Sequence, residues 1–332
     1  MRIFLLSIVS ALFLVAGCSN ADGAESSKEL VLAHNQPQEH PIHESLVDFG
    51  RLLEEKSNGE LKLRIYSNGQ LGSEREVIEM TQTNAVQFTK VSASALESFS
   101  EAYSLFSMPY LFDSQEQYRD IMKMPEIQTA FYNKTADNGF IGITYYDAGV
   151  RNMYTKERIL ETNEDMKGLR TRVQPSQTSV QMIEALGGTP TPMGFGEVYT
   201  ALQSGMLDAA ENNESALTDN AHGEVAKHYF YTEHAMVPDI LIMNKEAFDE
   251  LTEEEQQWVQ EAADESTALH EPRWDERMVE ARETAESEMG VTFYDIDKST
   301  FMEAVQPLQE RFADNEATQE QYDLIMRGKQ DE

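Results

Sequence analysis

The chain predicts an α/β fold in two domains, and three features carry that prediction. Its 332 residues are enough for two domains of ordinary size. Through the first half, short β-rich runs alternate with helix-favouring ones, the pattern of a largely parallel sheet covered by helices. The last third favours helix almost throughout, over a stretch longer than one small domain can house.

Residues 30–34, 61–66 and 86–91 read as strands. Between the first two, 42–56 carries apolar residues at helical spacing and stops at Asn58-Gly59, where positive φ is accessible. Gln70-Leu71-Gly72-Ser73 breaks the chain, and 74–83 makes a second helix. Strands follow at 140–146, 153–154, 169–173 and 240–244, with helices at 177–186 and 196–204. Thr252-Glu253-Glu254-Glu255 fits a capping box, in which the threonine and the glutamate three residues on satisfy each other's exposed amides. From there to Met289 only Pro272 interrupts a helical pattern. One helix of that length would extend roughly 55 Å and run along both domains with a kink at the proline. Two ordinary helices broken at Pro272 fit the same residues. Residues 291–294 read as a late strand, and 298–327 close the chain as helix.

At the N-terminus Arg2 precedes an apolar run from Ile3 to Val15, followed by Ala16-Gly17-Cys18. These are the parts of an export signal, residues 1–17. The run is too short to cross a bilayer, which takes roughly 20 apolar residues. A small-small-cysteine end resembles the lipobox of bacterial lipoproteins, in which the cysteine is acylated; a plain secretory signal is the alternative. On the lipoprotein reading Cys18 carries a lipid that anchors the protein to the membrane, and the small, polar residues 18–28 form a tether. Cys18 is the only cysteine, so lipidation leaves none for a disulfide or a metal.

With 40% hydrophobic residues the composition is globular, and the formal charge is −33, from 26 basic and 59 acidic residues. Such a surface repels nucleic acid, so none is expected as a partner. Most of the acid falls on solvated helix faces such as Glu253-Glu254-Glu255 and reads as adaptation to salty or alkaline surroundings.

Catalytic constellations are missing. His40-Pro-Ile-His43-Glu44 spaces its histidines three apart, against four in the helical zinc signature. Gly194-Phe-Gly196-Glu-Val-Tyr199 starts like a dinucleotide loop and lacks the third glycine. There is no Gly-x-Ser-x-Gly elbow and no Walker lysine. Neither enzyme chemistry nor a metal nor a cofactor is expected.

The scarce arginines are more telling. Arg170 and Arg172 sit in the predicted strand Leu169-Arg-Thr-Arg-Val173, and alternation points both to one face. Arg170 reads as a salt-bridged surface residue. Arg172 lies nearer the strand's C-terminal end, where open α/β sheets bind ligands. Arg151, in Gly149-Val-Arg-Asn-Met-Tyr154, stands just beyond a strand among apolar neighbours that draw it inward. For both, a structural role is the alternative.

Several segments together resemble the solute-binding proteins of TRAP transporters, the tripartite ATP-independent type. They are Ala33-His34, His40-Pro41, Gly69-Gln70-Leu71-Gly72, Met108-Pro109-Tyr110-Leu111-Phe112, Gly149-Val-Arg151, Gly168-Leu-Arg-Thr-Arg172-Val-Gln-Pro-Ser176, and the run from Glu197 through Asp208 to Asn213. As a set they are specific; none suffices singly. The likeness runs from about Leu30 to the C-terminal helices.

The resemblance implies a two-domain clamp of the periplasmic-binding-protein kind, with a long helix spanning both domains. Such a clamp closes on a small organic acid and hands it to membrane permease subunits. It divides this chain into residues 29–149 plus about 239–272 for the first domain and 150–238 plus about 273–332 for the second. The family's Arg-Val-x-x-Ser strand carries over to Arg172, whose planar guanidinium would hold a ligand carboxylate by two parallel hydrogen bonds that lysine cannot match. Arg151 matches a second arginine that many members use, and Asn212 an amide that also contacts the carboxylate.

Candidates for the ligand's other end are His34, Asn35, Gln36, Glu74, Lys90 and Asp239. Phe195 and Tyr199 offer an apolar wall, with core packing as the alternative use. Ser73-Glu74-Arg75-Glu76 resembles the sugar-acid branch of the family. A carboxylate there repels a second ligand carboxylate and accepts bonds from sugar hydroxyls; a helix N-terminal acid favoured by the dipole is the alternative. The expected ligand is a hexuronate such as glucuronate or galacturonate, ahead of a C4-dicarboxylate. Rival readings are a binding lipoprotein for an ATP-driven importer or a sensor kinase, and a secreted carbohydrate-active enzyme. The negative net charge does not forbid an anionic ligand, because charges beyond about 8 Å are damped at physiological salt.

Overall fold

The structure is a computed structural model that describes residues 27–330. The predicted signal and Cys18 lie outside the described residues. The first lobe contains β1 (Lys28–Ala33), α1 (Pro41–Lys56), β2 (Leu61–Tyr66), α2 (Glu74–Gln82), β3 (Phe88–Ser92), α3 (Ala93–Leu96), α4 (Gln115–Met122), α5 (Pro125–Tyr132) and β4 (Phe140–Tyr146). The chain then crosses to the second lobe for β5 (Arg151–Thr155), β6 (Arg170–Val173), α6 (Gln177–Ala185), β7 (Thr189–Pro192), α7 (Val198–Gln203), β8 (Ala209–Asn212), α8 (Ser215–Thr218) and β9 (His228–Ala235). It returns as β10 (Asp239–Asn244) and α9 (Lys245–Asp249), runs on as α10 (Glu253–Ser287), and ends with β11 (Thr292–Tyr294), α11 (Ser299–Ala313) and α12 (Gln319–Gly328).

The first sheet has the order β2-β1-β3-β10-β4 and the second β11-β9-β5-β8-β6-β7. Each is parallel but for one strand: β10 runs against β3 and β4, and β5 against β8 and β9. The largely parallel sheet expected from sequence is therefore mixed, and connectivity is the reason. Parallel strands aim their C-terminal ends at the cleft between the lobes. A strand entering straight from the other lobe must run away from that cleft, and β5 and β10 are the two that do.

Local chemistry accounts for the helices that matter. Ser73 and Glu76 form a capping box ahead of α2, fixing where Glu74 begins the helix. Thr252 and Glu255 do the same for α10, with the Thr252 amide donating to Glu255 at 2.7 Å. That helix runs 35 residues unbroken through Pro272, so the one-helix alternative holds. Tertiary bonds beside the proline carry it: Thr267 Oγ1 donates to the Tyr145 carbonyl at 3.0 Å, and His270 Nε2 donates to that of Asp147 at 2.7 Å. Val259, Ala262, Ala263 and Trp274 of α10 lie in the first-lobe core, and Ala285 in a second-lobe core with Tyr154 and Leu202.

The chain departs from the sequence reading in four further places. The closing helix expected over 298–327 is two helices, and the second leaves the lobe to which it was assigned. α12 packs on α5 of the first lobe, and its Gly328 approaches the side chains of Ile121 in α4 and Met124 between α4 and α5 closely enough that a Cβ would crowd both. β7, Thr-Pro-Thr-Pro, escapes a sequence reading because its prolines suit only the sheet edge it occupies. β9, which the strand pattern had not marked, is a continuous strand that bends at Glu233, at φ 46°, with a shifted register against β5. β8, α4 and α5 are short elements that the strand and helix patterns had not marked. Among the described residues no helix is long and apolar enough to cross a membrane.

Candidate functional site

The strand ends converge on one cavity. Ser92 ends β3, Asn212 ends β8 and Arg172 is next to last in β6, while Arg151 starts β5 and Asp239 starts β10. All five line one cavity between the lobes. Glu74, Lys90 and Phe195 line it too, as do Asn35 and Gln36. His40, Gln174, Asn213 and Trp274, which sequence reading did not select as ligand contacts, also line it, with Ala148 and Val237.

On the second-lobe wall, pairing of Met153 with Glu211 and of Asn152 with Asn212 brings β8 alongside Arg151. The Arg151 guanidinium donates to both carboxylate oxygens of Glu211, at 2.5 and 2.9 Å, and to Asn212 Oδ1 at 3.0 Å. Burial alone pushes the Glu211 carboxyl upward, but the Arg151 charge and hydrogen bond, with His234 Nε2 3.5 Å away, outweigh it and hold it at about 2. Arg172 is different. It is only 3% exposed, and its Nε and Nη2 donate to the Met193 carbonyl at 3.2 and 3.0 Å. Its guanidinium carbon stands 5.5 Å from the centre of the Phe195 ring, a cation–π contact. Among the described residues no carboxylate pairs with it. Burial lowers its pKa from the usual arginine value, with Glu211 pulling the other way.

On the first-lobe wall Lys90 is 1% exposed, and its ammonium donates to Asp239 Oδ2 at 2.9 Å and Asn35 Oδ1 at 3.1 Å. Glu74 Oε1 lies 3.9 Å from the same ammonium and accepts from the Ser92 amide at 3.0 Å and Asn35 Nδ2 at 3.3 Å. Burial raises the Glu74 carboxyl, against the pull of Lys90. This wall is an interlocked polar network whose charges already face one another.

The lobes are latched around the cavity. Gln174 Nε2 donates to Ser92 Oγ at 2.8 Å, and His40 Nε2 meets Ser215 Oγ at 3.3 Å. Outside the cavity Glu97, following α3, accepts from Ser176 Oγ at 2.5 Å and from the Thr178 amide and hydroxyl at 3.0 Å each, capping α6 from the opposite lobe.

His34 does not line the cavity. Its Nδ1 accepts from the Gln36 amide at 3.2 Å, so its Nε2 carries the proton and donates to His43 at 2.9 Å. Both ring nitrogens are used, and the residue instead shapes the turn that carries Asn35 and Gln36. Tyr199 is likewise elsewhere, with its hydroxyl on Glu224 at 2.7 Å. Arg170 has the surface role expected of it, bound through Nε and Nη2 to Asp208 at 2.8 and 2.6 Å. Of the residues that sequence reading missed, Gln174 carried a signal: it stands two places after Arg172 and so on the same face. Trp274 carried none, since it sits in a helix of charged residues far from the other motifs. Among the described residues no cluster of three or more His, Asp, Glu or Cys could hold a metal ion.

The model of bacterial extracellular solute-binding protein family 7 matches residues 32–316. The chain belongs to that family. Among solved structures, this solute-binding protein is similar to a TRAP periplasmic solute-binding protein from Anaerococcus prevotii with bound α/β-D-glucuronate. That pair is 40% identical at a TM-score of 0.89, with 92% of this chain and 99% of the other covered. A TRAP periplasmic solute-binding protein from Xanthobacter autotrophicus with bound β-D-galacturonate is 34% identical, at a TM-score of 0.85 over 90% of this chain and 99% of that one. By sequence it is 41% identical over 300 residues to a protein named YiiZ of Salmonella typhimurium, covering 90% of this chain and 91% of the relative. The solute-binding protein thus has the two-lobed TRAP fold, and its family works outside the cytoplasm.

Proposed function

We propose that this solute-binding protein captures a hexuronate, D-glucuronate or D-galacturonate, by closing its lobes on the sugar acid without chemical change. One observation carries the reading: Arg172 is a buried cation with no carboxylate of its own, aimed into a cavity whose other charges are paired. A ligand monoanion would complete it through two parallel hydrogen bonds, with Asn212 and Arg151 beside them. The first-lobe network of Glu74, Asp239, Lys90 and Asn35 offers acceptors and donors for hydroxyls, and its two carboxylates disfavour a second anionic group. Micromolar affinity needs about −8 kcal/mol. Charged hydrogen bonds give roughly 1.5–3 kcal/mol each, so the hydroxyl contacts must supply a substantial part. The uronates bound in similar proteins support the same ligand class.

The partner in this reading is a TRAP membrane permease, and acylation of Cys18 tethers the receptor to the outer face of the membrane. Confinement to that surface would raise the effective concentration at the permease. A ligand that binds only the folded state raises its melting temperature by mass action. The test is therefore a thermal-shift screen of uronates, aldonates, C4-dicarboxylates and neutral sugars, followed by calorimetry. Uronates are expected to give the largest shifts, and a response confined to neutral sugars or to dicarboxylates would sink the reading.

A further inference from the structure

Two buried polar atoms on the cavity wall have no hydrogen-bond partner in the protein: the indole Nε1 of Trp274 and the side-chain oxygen of Gln36. Their surroundings make them exceptional. Around the same cavity Lys90, Asp239, Asn35, Glu74, Gln174 and Ser92 all hydrogen-bond to one another or to backbone. Leaving a buried donor or acceptor unpaired is destabilising, and native structures do so rarely.

The indole cannot easily turn elsewhere. Trp274 is 1% exposed, and its ring lies between His40 and His270 at centroid distances of 5.8 and 5.5 Å. The other flank is Gly149, in the crossover between the lobes, where a Cβ would come within 3.0 Å of the indole nitrogen. Gly149 is also held at φ 69°, so two independent constraints keep a side chain away from the ring edge.

An indole N–H can only donate, and an amide oxygen can only accept. Alcohol groups complement both, because each hydroxyl accepts and donates. A carboxylate satisfies the indole alone and meets repulsion at the amide oxygen. We propose that Trp274 and Gln36 are a hydroxyl-recognition pair that selects sugar acids over dicarboxylic acids. This rests on the uronate reading and deepens it: the arginine wall selects an acid, and these two residues on the other side of the cavity select a polyol.

The chain has two tryptophans, Trp258 and Trp274, which makes the pair directly observable. In Trp258→Phe, ultraviolet resonance Raman reads the hydrogen-bond state of Trp274 alone. Adding D-glucuronate or D-galacturonate should shift the indole hydrogen-bond band. By calorimetry, Trp274→Phe and Gln36→Leu should each weaken uronate binding at least fivefold while narrowing the preference for uronate over a C4-dicarboxylate. Wild-type protein that binds neither uronate overturns the functional reading and this pair with it. Uronate binding that leaves the indole band and both variants' affinities unchanged overturns the pair alone. If Trp274→Phe does not fold, the band in Trp258→Phe and the affinity of Gln36→Leu decide the matter.

Discussion

On the first-lobe wall of the cavity Lys90 is enclosed by Asp239, Asn35 and Glu74, whereas on the second-lobe wall Arg172 meets only a carbonyl oxygen and a phenyl ring. Both cations are almost fully buried, so burial by itself says nothing about their use. Partners decide. A buried cation surrounded by its own anions is part of the framework, and removing it strands those anions. A buried cation without one is, on the function proposed above, the place for an anion from outside. Arg151 lies between the two cases, since Glu211 neutralises it and yet Asn212 aligns it toward the same cavity.

The sharpest test of this contrast makes the same change on both walls. Lys90→Met leaves Asp239 and Glu74 facing each other and should cost about 3 kcal/mol or more of folding stability. Arg172→Met should leave the ligand-free melting temperature unchanged or raised, yet weaken uronate binding at least a hundredfold. Arg172→Lys, which keeps the charge and loses the fork, should weaken it at least tenfold. Denaturant melts and calorimetry on the three variants read both quantities, and equal stability losses at the two sites would break the comparison.

Acid should destabilise both lobes through neutral buried histidines that lie behind the cavity. Burial, aided by Lys90 and His43, lowers His34 to about 2. Burial and Arg172 lower His222, which meets Tyr154 at 2.8 Å, to about 3. Both folded values lie below the unfolded one, so below pH 6.5 the unfolded chain binds more protons. Stability is then present above pH 6.5 and lost as pH falls, by up to about 1.4 kcal/mol per pH unit for each histidine. Urea melts from pH 7 to 5 should show this slope, and His34→Gln and His222→Gln should each flatten it by about one proton. Glu211 should act only in stronger acid, its contribution fading as pH falls from the ordinary carboxyl range through about 2.

A smaller effect separates anions by size and charge. Glu74→Gln removes one first-lobe carboxylate and should improve C4-dicarboxylate binding relative to uronate by roughly tenfold. Parallel calorimetric titrations with the two ligand classes check it; an unchanged ratio would mean that Glu74 serves the fold alone. The smallest effect concerns the latch outside the cavity. Glu97→Ala removes the cap on α6 and should speed ligand release about threefold to tenfold, as loss of about 1 kcal/mol implies. Stopped-flow displacement reads that rate, and an unaltered release would place the closing energy elsewhere.

Arg172 was legible in the chain because a strand pattern and a motif coincide there, and Asn212 because it ends a long matching run. Glu74 and Asp239 were legible as polar residues at element boundaries near the cleft. His34 shows where that logic stops: nothing in its strand-end position reveals that both ring nitrogens are consumed by Gln36 and His43. Trp274 shows the opposite failure. It reaches the cavity only because α10 continues through Pro272 and passes along both lobes.

By itself the sequence determined the alternation of strands and helices, the cap that starts α10, and the arginine strand that faces the cleft. These depend on side-chain periodicity and on hydrogen bonds spanning a few residues, which local order expresses. Only the tertiary structure decided that β5 and β10 run backward, that α12 returns to the first lobe, and which buried charges are paired. Those outcomes depend on groups as far apart in the chain as Lys90 and Asp239, or Ser45 and His270 at 2.9 Å. A charge becomes a framework element or a ligand site according to who stands beside it, and folding settles that.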